Sequence, residues 1–403
     1  MYSVNTEAVQ EEQPIIFDGW RSMSIAVYMA LVGYGVLVGI PVISTAWVTL
    51  LGFSEVEVGR VAGADLGGLS LGAVLAAIVI GKMNRRLLVV IGVALAVAAN
   101  AACLVMVEYQ QVLWLRLLAG VGSGIYTAVA VATLGACSKP ARAFNILLFV
   151  FAFSQALELH VLPQLSMNGI YLAFIGAYLI GMLFIHWVPP YPLPKTAAEI
   201  KAEQDNQAQA PTVPSYLPWL VLAAILATYI NIGAYWTYIE LASVDSEATP
   251  EWVGKVLVWA SFCSIVGCLV ATVISNRYGL ARPLLVTLVM QAVIVVMLAG
   301  GINNTNIVIS MFMFNFLWIF IDVYQMATVA NVDHTGRFAA LMPGAQGLGQ
   351  ILGANIAASI LGYGLGYSAV FIMCGMASIT AMLIYLTMYL RLRKLVPALA
   401  DAS

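Results

Sequence analysis

The chain has 403 residues, of which 62% are hydrophobic and 9% charged, with a formal net charge of −2 and a mean hydropathy of +0.95. Soluble domains carry about a quarter charged residues, so this composition excludes an ordinary soluble fold and points to a polytopic membrane protein. The charge balance gives no reason to expect nucleic acid as a partner, and Cys103, Cys137, Cys263, Cys268 and Cys374 lack metal-ligand spacing and read as small apolar packing residues.

The first twenty residues, "MYSVNTEAVQEEQPIIFDGW", are polar and acidic. They lack the basic region and small-residue cleavage site of a signal peptide, so no cleavage is expected. Twelve apolar segments follow, at 23–50, 56–80, 87–107, 112–136, 143–165, 169–188, 217–241, 252–274, 283–300, 306–330, 338–361 and 366–390. A spanning helix needs ~20 residues. The connections are short and polar, except for a Pro-, Ala- and Gln-rich stretch that reads as a soluble linker with a helical turn at 197–204. The expected plan is a tail over 1–22, a six-helix bundle over 23–188, the linker over 189–216, a second bundle over 217–390 and a tail over 391–403.

With the N-terminus placed in the cytoplasm, cytoplasmic segments hold fourteen of the seventeen Lys and Arg residues. Arg60 and Lys255 fall near the outer surface and Arg116 inside a helix. The positive-inside rule therefore predicts cytoplasmic N- and C-termini in an inner (plasma) membrane. The two bundles also repeat. Arg142 precedes Gln155 by 13 residues, and Arg337 precedes Gln350 by 13. Equal spacing in the same orientation predicts parallel repeats about an axis along the membrane normal.

On these features the chain resembles the major facilitator superfamily over essentially its whole length. The family's loop between helices two and three is shortened here to "GKMNRR", with Asn84 where the family has Asp, followed by Arg85 and Arg86. The second copy, "SNRYGLAR", keeps Asn276, Arg277 and Gly279. "RLLAGVGSG" places Arg116, Gly120 and Gly124 on the family's pattern in helix four, whose Arg the family links to proton coupling. Helix five, "FVFAFSQALELHVLPQL", lacks the Gly-Pro pattern of drug/proton antiporters. The resemblance implies an all-α membrane protein of twelve helices in two pseudo-symmetric halves, acting as a secondary transporter and not as an enzyme.

Ionisable groups at membrane depth are rare and face a cavity or a partner. Asp65, Arg116, Glu158, His160, Glu240 and Asp322 belong to this class, whereas His186 and His334 lie at helix ends. Counting ~1.5 Å per helical residue puts Asp65 near mid-depth and Arg116, Glu158 and His160 in the outer third. A carboxylate beside a guanidinium stays ionised, and one moved into apolar surroundings favours its neutral form. Rocking halves would switch Asp65 or Glu158 between those environments, with Arg116 as the partner; a static buried ion pair is the competing reading. Glu240 reads as interfacial, and His160 as a group without a site role. Asp322, in the inner third of helix ten, is expected to pair with Arg277 or Arg337, or to line the inner cavity.

The solute site is expected between the halves near the midplane. "ATYINIGAYWTYIELAS" supplies the candidate wall, with Tyr229, Asn231, Tyr235 and Trp236; Tyr238 fits an interfacial belt instead. Gln155 and Gln350 at matching places, with Gln346, Asn315 and Tyr34, complete a polar, aromatic-lined cavity; each alone is also ordinary interhelical glue. The glycine-rich runs at 33–41, 63–72 and 120–128 predict close, sliding helix contacts. No Ser/His/Asp set, zinc spacing or Walker sequence occurs, so no cofactor or metal is expected. The expected function is alternating-access transport of a small organic solute, neutral, zwitterionic or cationic, by a monomer driven by protons. A sodium-coupled or facilitative carrier and a non-transporting membrane sensor are the alternatives.

Overall fold

The computed structural model describes residues 16–191, 214, 216–244, 246–333 and 337–395, without the side chains of residues 16, 141, 275–277, 337, 339 and 340. The turn expected at 197–204 and His334 lie outside the described residues, as do the side chains of Asn276, Arg277 and Arg337. Among the described residues twelve α-helical segments follow one another: α1 Trp20–Leu51, α2 Glu55–Val79, α3 Arg85–Ala102, α4 Tyr109–Gly135, α5 Pro140–Val161, α6 Met167–Leu183, α7 Tyr216–Tyr238, α8 in two pieces Pro250–Ala260 and Cys263–Tyr278, α9 Ala281–Val296, α10 Asn304–Val332, α11 Arg337–Gly362 and α12 Gly366–Leu395. Ten stretches among the described residues are long and apolar enough to cross a membrane, and α6 is a shorter apolar helix.

The polar connections start the helices. Ser54 caps α2, accepting from the Glu57 amide while the Glu57 carboxylate accepts from the Ser54 amide at 2.9 Å. Asn303 and Asn306 form the same reciprocal cap on α10, and Thr249 caps the first piece of α8. α8 breaks at Ser261, where hydroxyls bond back to the chain: Ser261 to Leu257 O and Ser264 to Ser261 O. α12 runs past its expected end at 390 to Leu395, and the basic residues Arg393 and Lys394 in its last turn suit the negative end of the helix dipole. Gly279 ends α8 at φ 68°, a left-handed conformation that glycine adopts without a Cβ penalty.

α2 lies between α4 and α11, α7 between α11 and α12, and α5 against both α1 and the first piece of α8. The contact of α2 with α4 is backbone on backbone. A Cβ at Gly120 would run into Asp65 O and Leu69 N, and one at Gly68 into Leu117 O. The buried apolar core is continuous between α1–α6 and α7–α12 at the end that carries Glu55, through residues such as Ile43, Trp47, Val58, Trp236 and Tyr238. At the end that carries Arg85, the core of α1–α6 forms a separate cluster around Ile25, Leu88, Tyr126 and Leu134. The two sets of helices are thus joined at the Glu55 end and parted in their apolar core at the Arg85 end.

Gly120→Val tests the close approach. It should lower stability by about 1–3 kcal/mol through forced separation of α2 and α4, read as a lower midpoint of thermal unfolding in detergent. Gly176→Ala, where a Cβ meets nothing within 4 Å, should leave that midpoint nearly unchanged.

Candidate functional site between the two sets of helices

The buried charges of α1–α6 come first, because they fix which faces remain free. Arg116 on α4 donates from Nε to Asp65 Oδ2 at 2.7 Å, with its Nη2 at 2.6 Å from the same oxygen. Its Nη1 donates to Asn100 Oδ1 on α3 at 2.7 Å, and its guanidinium stands 5.7 Å from the Tyr171 ring centre on α6. Both charged side chains are 2% exposed or less. The pair therefore lies wholly inside α1–α6, facing away from α7–α12. Arg116 pairs with Asp65; the alternative Glu158–Arg116 pair does not form. Glu158 instead accepts from Ser154 Oγ at 3.3 Å, and its Oε2 is buried without a partner among the described residues, against Gly35 and Gly39 of α1. His160 does not join this group: it is exposed on the outer face of α5, bonded to Gln164, because it lies two positions, or about 200° of helix, from Glu158.

At the junction of the two sets, Tyr229 on α7 donates its hydroxyl to both oxygens of Asp322 on α10 at 2.8 Å. Gln346 on α11 donates to the Tyr229 oxygen at 2.9 Å. Trp318, one turn before Asp322, also reaches its carboxyl group, and Tyr34 on α1 lies within electrostatic reach of it. Tyr34 packs edge-on to Phe151 of α5. Asp322 thus has neutral described partners; the two arginines expected to pair with it have side chains outside the description. One layer away, Gln155 on α5 donates to Asn315 Oδ1 on α10 at 3.2 Å, an amide bridge between the sets. Asn315 precedes Asp322 by seven residues, which is ~10 Å along the helix.

The remaining bonds between the sets lie toward the Glu55 end. Trp236 Nε1 donates to Leu37 O at 3.0 Å. Tyr238 donates to Glu55 O at 2.7 Å, and Tyr367 to Glu55 Oε1 at 2.5 Å. Arg60 donates to Asn355 Oδ1 at 2.6 Å and to Ser359 Oγ at 2.9 Å. Tyr238 is therefore a buried bridge and not an interfacial belt residue. Glu240 is half-buried beside Thr45 of α1, with one carboxyl oxygen buried and without a partner among the described residues, rather than solvated at an interface.

Part of the expected wall turns inward. Asn231 donates to Ser378 on α12 at 2.7 Å, and Tyr235 shares a 2.8 Å hydrogen bond with Ser310 on α10 while stacking on Phe314. Both hold α7–α12 together and do not face α1–α6. Gln350 is buried where α11 packs its backbone on Gly233. Asn84 caps α3 by accepting from Arg86 N; Arg86 donates to Val188 O and His186 O, and Arg85 lies over Phe17. That loop is thus tied to its own set of helices. Trp318, Asn100 and Arg60 are site residues that sequence reasoning did not single out. A lone Asn inside the apolar run "AVAANAACLV" is the signal that finds Asn100. Among the described residues no group of three or more His, Cys, Asp or Glu is placed to hold a metal ion.

A family model described as Major Facilitator Superfamily matches residues 23–354. No curated protein matches the sequence. Among solved structures, the fold resembles a variant of the nucleoside transporter NupG with a TM-score of 0.70 at 13% identity, covering 91% of this chain and 98% of that one. It resembles a D-xylose–proton symporter at 0.70 and 13%, covering 91% and 96%. A bacterial homologue of the human drug peptide transporters gives 0.69 at 13%, covering 93% and 99%. At these identities the likeness is one of fold.

Arg116→Ala should cost about 3–5 kcal/mol, because it leaves the Asp65 carboxylate buried and unpaired. Asp65→Asn in the Arg116→Ala background should recover part of that loss. Unfolding midpoints of the two single variants and the double variant check this coupling.

Proposed function

The chain belongs to the Major Facilitator Superfamily, and on that premise we propose that it is a proton-coupled secondary transporter moving a small organic solute by alternating access. One observation carries the reading. Asp322 sits where α7, α10 and α11 meet α1, with described partners that are all neutral, in a chain joined at one end and parted at the other. A carboxyl group at such a place has its charge balanced by a proton or a solute when the site closes around it. Coupling is accordingly assigned to Asp322, with Glu158 as the second acid, and the Asp65–Arg116 pair to holding α2, α3 and α4.

The solute path runs past Tyr34, Gln155, Tyr229, Trp236, Asn315 and Gln346. These residues offer amides, phenols and an indole, with Asp322 as the acid and no described cation. A neutral, zwitterionic or cationic solute suits them better than an anion. The two bundles are 23–188 and 217–390, and one copy contains a complete path. The excess of basic residues at the Arg85 end supports a cytoplasmic location for that end, in a plasma-membrane protein on this reading, so the arrangement described is closed outside. Arg60, Tyr238 and Tyr367 then act as the outer closure.

Reconstituted into liposomes and offered a metabolite panel, the protein should concentrate at least one solute under an inward proton gradient. For a neutral solute, Asp322→Asn should reduce that uphill uptake at least tenfold while leaving counterflow near wild type. Equal loss of both would remove Asp322 as carrier; flux with sodium alone would move the coupling to sodium; no flux under either gradient would sink the transporter reading. Arg60→Ala should weaken the outer closure, raising several-fold the labelling of Ala358→Cys by a membrane-impermeant maleimide added outside, with the five native cysteines replaced.

A further inference from the structure

Several buried polar atoms inside α7–α12 lack partners among the described residues. Gln291 on α9 is fully buried, and neither its amide nitrogen nor its oxygen has a partner among the described residues. The same holds for Asn231 Oδ1, Gln325 Oε1 and the Tyr385 hydroxyl. At membrane depth each such group must be satisfied internally, and buried water is what satisfies groups of this kind.

Asn231, Gln325 and Tyr385 follow one another around Asp322. Gln325 donates to Thr228 at 2.8 Å, and Asn231 lies three residues beyond Thr228, donating to Ser378. Asp322 is three residues before Gln325 on α10. Tyr385, two turns beyond Ser378 on α12, is within electrostatic reach of Asp322. Past Tyr385, toward the Arg85 end, lies a cavity of about 30 Å³ whose lining includes Leu284, Thr328, Tyr385 and Met388. That exceeds the ~10–15 Å³ that one water centre requires.

We infer that water enters the core of α7, α9, α10 and α12 through this cavity and carries protons between the Arg85 end and Asp322, behind the solute path, with Tyr385 as the positioning residue. The inference rests on the reading of Asp322 as proton carrier. Each hop breaks one O–H bond as it forms the next, and the last bond formed is on an Asp322 oxygen. The net change is one proton moved from bulk water to the carboxylate, and release runs the same steps backwards. The groups facing Asp322 are Tyr229 on α7, Tyr34 on α1, Gln346 through Tyr229 on α11, Tyr385 on α12 and Trp318 on α10; none of these is charged. A route of this kind lets the proton leave while solute still occupies the junction.

The test uses the full chain in lipid nanodiscs with D₂O as the probe. The Asp322 carboxyl C=O band is assigned in the infrared by its loss in Asp322→Asn, and its hydrogen–deuterium exchange is timed. Tyr385→Phe removes an unpartnered hydroxyl and should leave the unfolding midpoint unchanged while slowing exchange at least tenfold. Thr328→Leu, which fills the cavity, should slow it likewise and decides the matter should Tyr385→Phe misfold. Exchange at the wild-type rate in the folded variants overturns the route. Failure to find a pH-dependent Asp322 band at all overturns Asp322 as carrier, which is a separate failure.

Discussion

A guanidinium and a carboxylate withdrawn from water are each costly unless bonded to one another and to further polar atoms. Arg116 meets that condition with Asp65 and Asn100, drawing α2, α3 and α4 together. The pair fixes how α2 is turned about its axis. Asp65, Gly68 and Gly72 then face α4, and Gly59, Arg60, Gly63 and Gly67 face α7 and α11. α2 thereby becomes the helix on which both sets close. Had Asp65 pointed at the junction instead, its charge would have stood between two surfaces that have to part.

The junction follows a graded pattern along the membrane normal. At the Glu55 end it is apolar and tightly bridged through Arg60, Tyr238 and Tyr367. The Gln155–Asn315 amide bridge comes next, with Glu158 one helical turn to its closed side and Asp322 two turns to its parted side. On the proposed alternating-access reading, a weak neutral bridge between two acids suits a barrier that forms and breaks repeatedly, since interhelical hydrogen bonds in membranes average ~0.6 kcal/mol.

The fold was legible because bilayer physics writes strongly into sequence: apolar runs near 20 residues, short polar connections and a biased placement of Arg and Lys. Asp65 and Arg116 were legible as partners because a charge at depth needs one. Sequence did not resolve which acid Arg116 takes, since a long guanidinium in the outer third can reach either Asp65 near mid-depth or Glu158 beside it, and the rotation of each helix about its axis decides between them. The same ambiguity misplaced Tyr238 and Asn231. In helices buried on nearly all sides, as α7 is, hydrophobic periodicity no longer marks a face. The arrangement around Asp322 depended on residues more than ninety positions apart meeting, with no local pattern to announce it.

The two ion pairs among the described residues, Arg116–Asp65 and Lys255–Glu251, each lie within one set of helices. A rocking motion moves each of them as a unit of zero net charge. Displacing one elementary charge through the membrane field is worth ~2.3 kcal/mol per 100 mV, and here the buried pair contributes almost none of it. On the proposed reading of Asp322 and Glu158 as the coupling acids, voltage acts on this protein chiefly through the charge they and the cargo carry across, so that a recorded current counts transported charge rather than the swing of the scaffold.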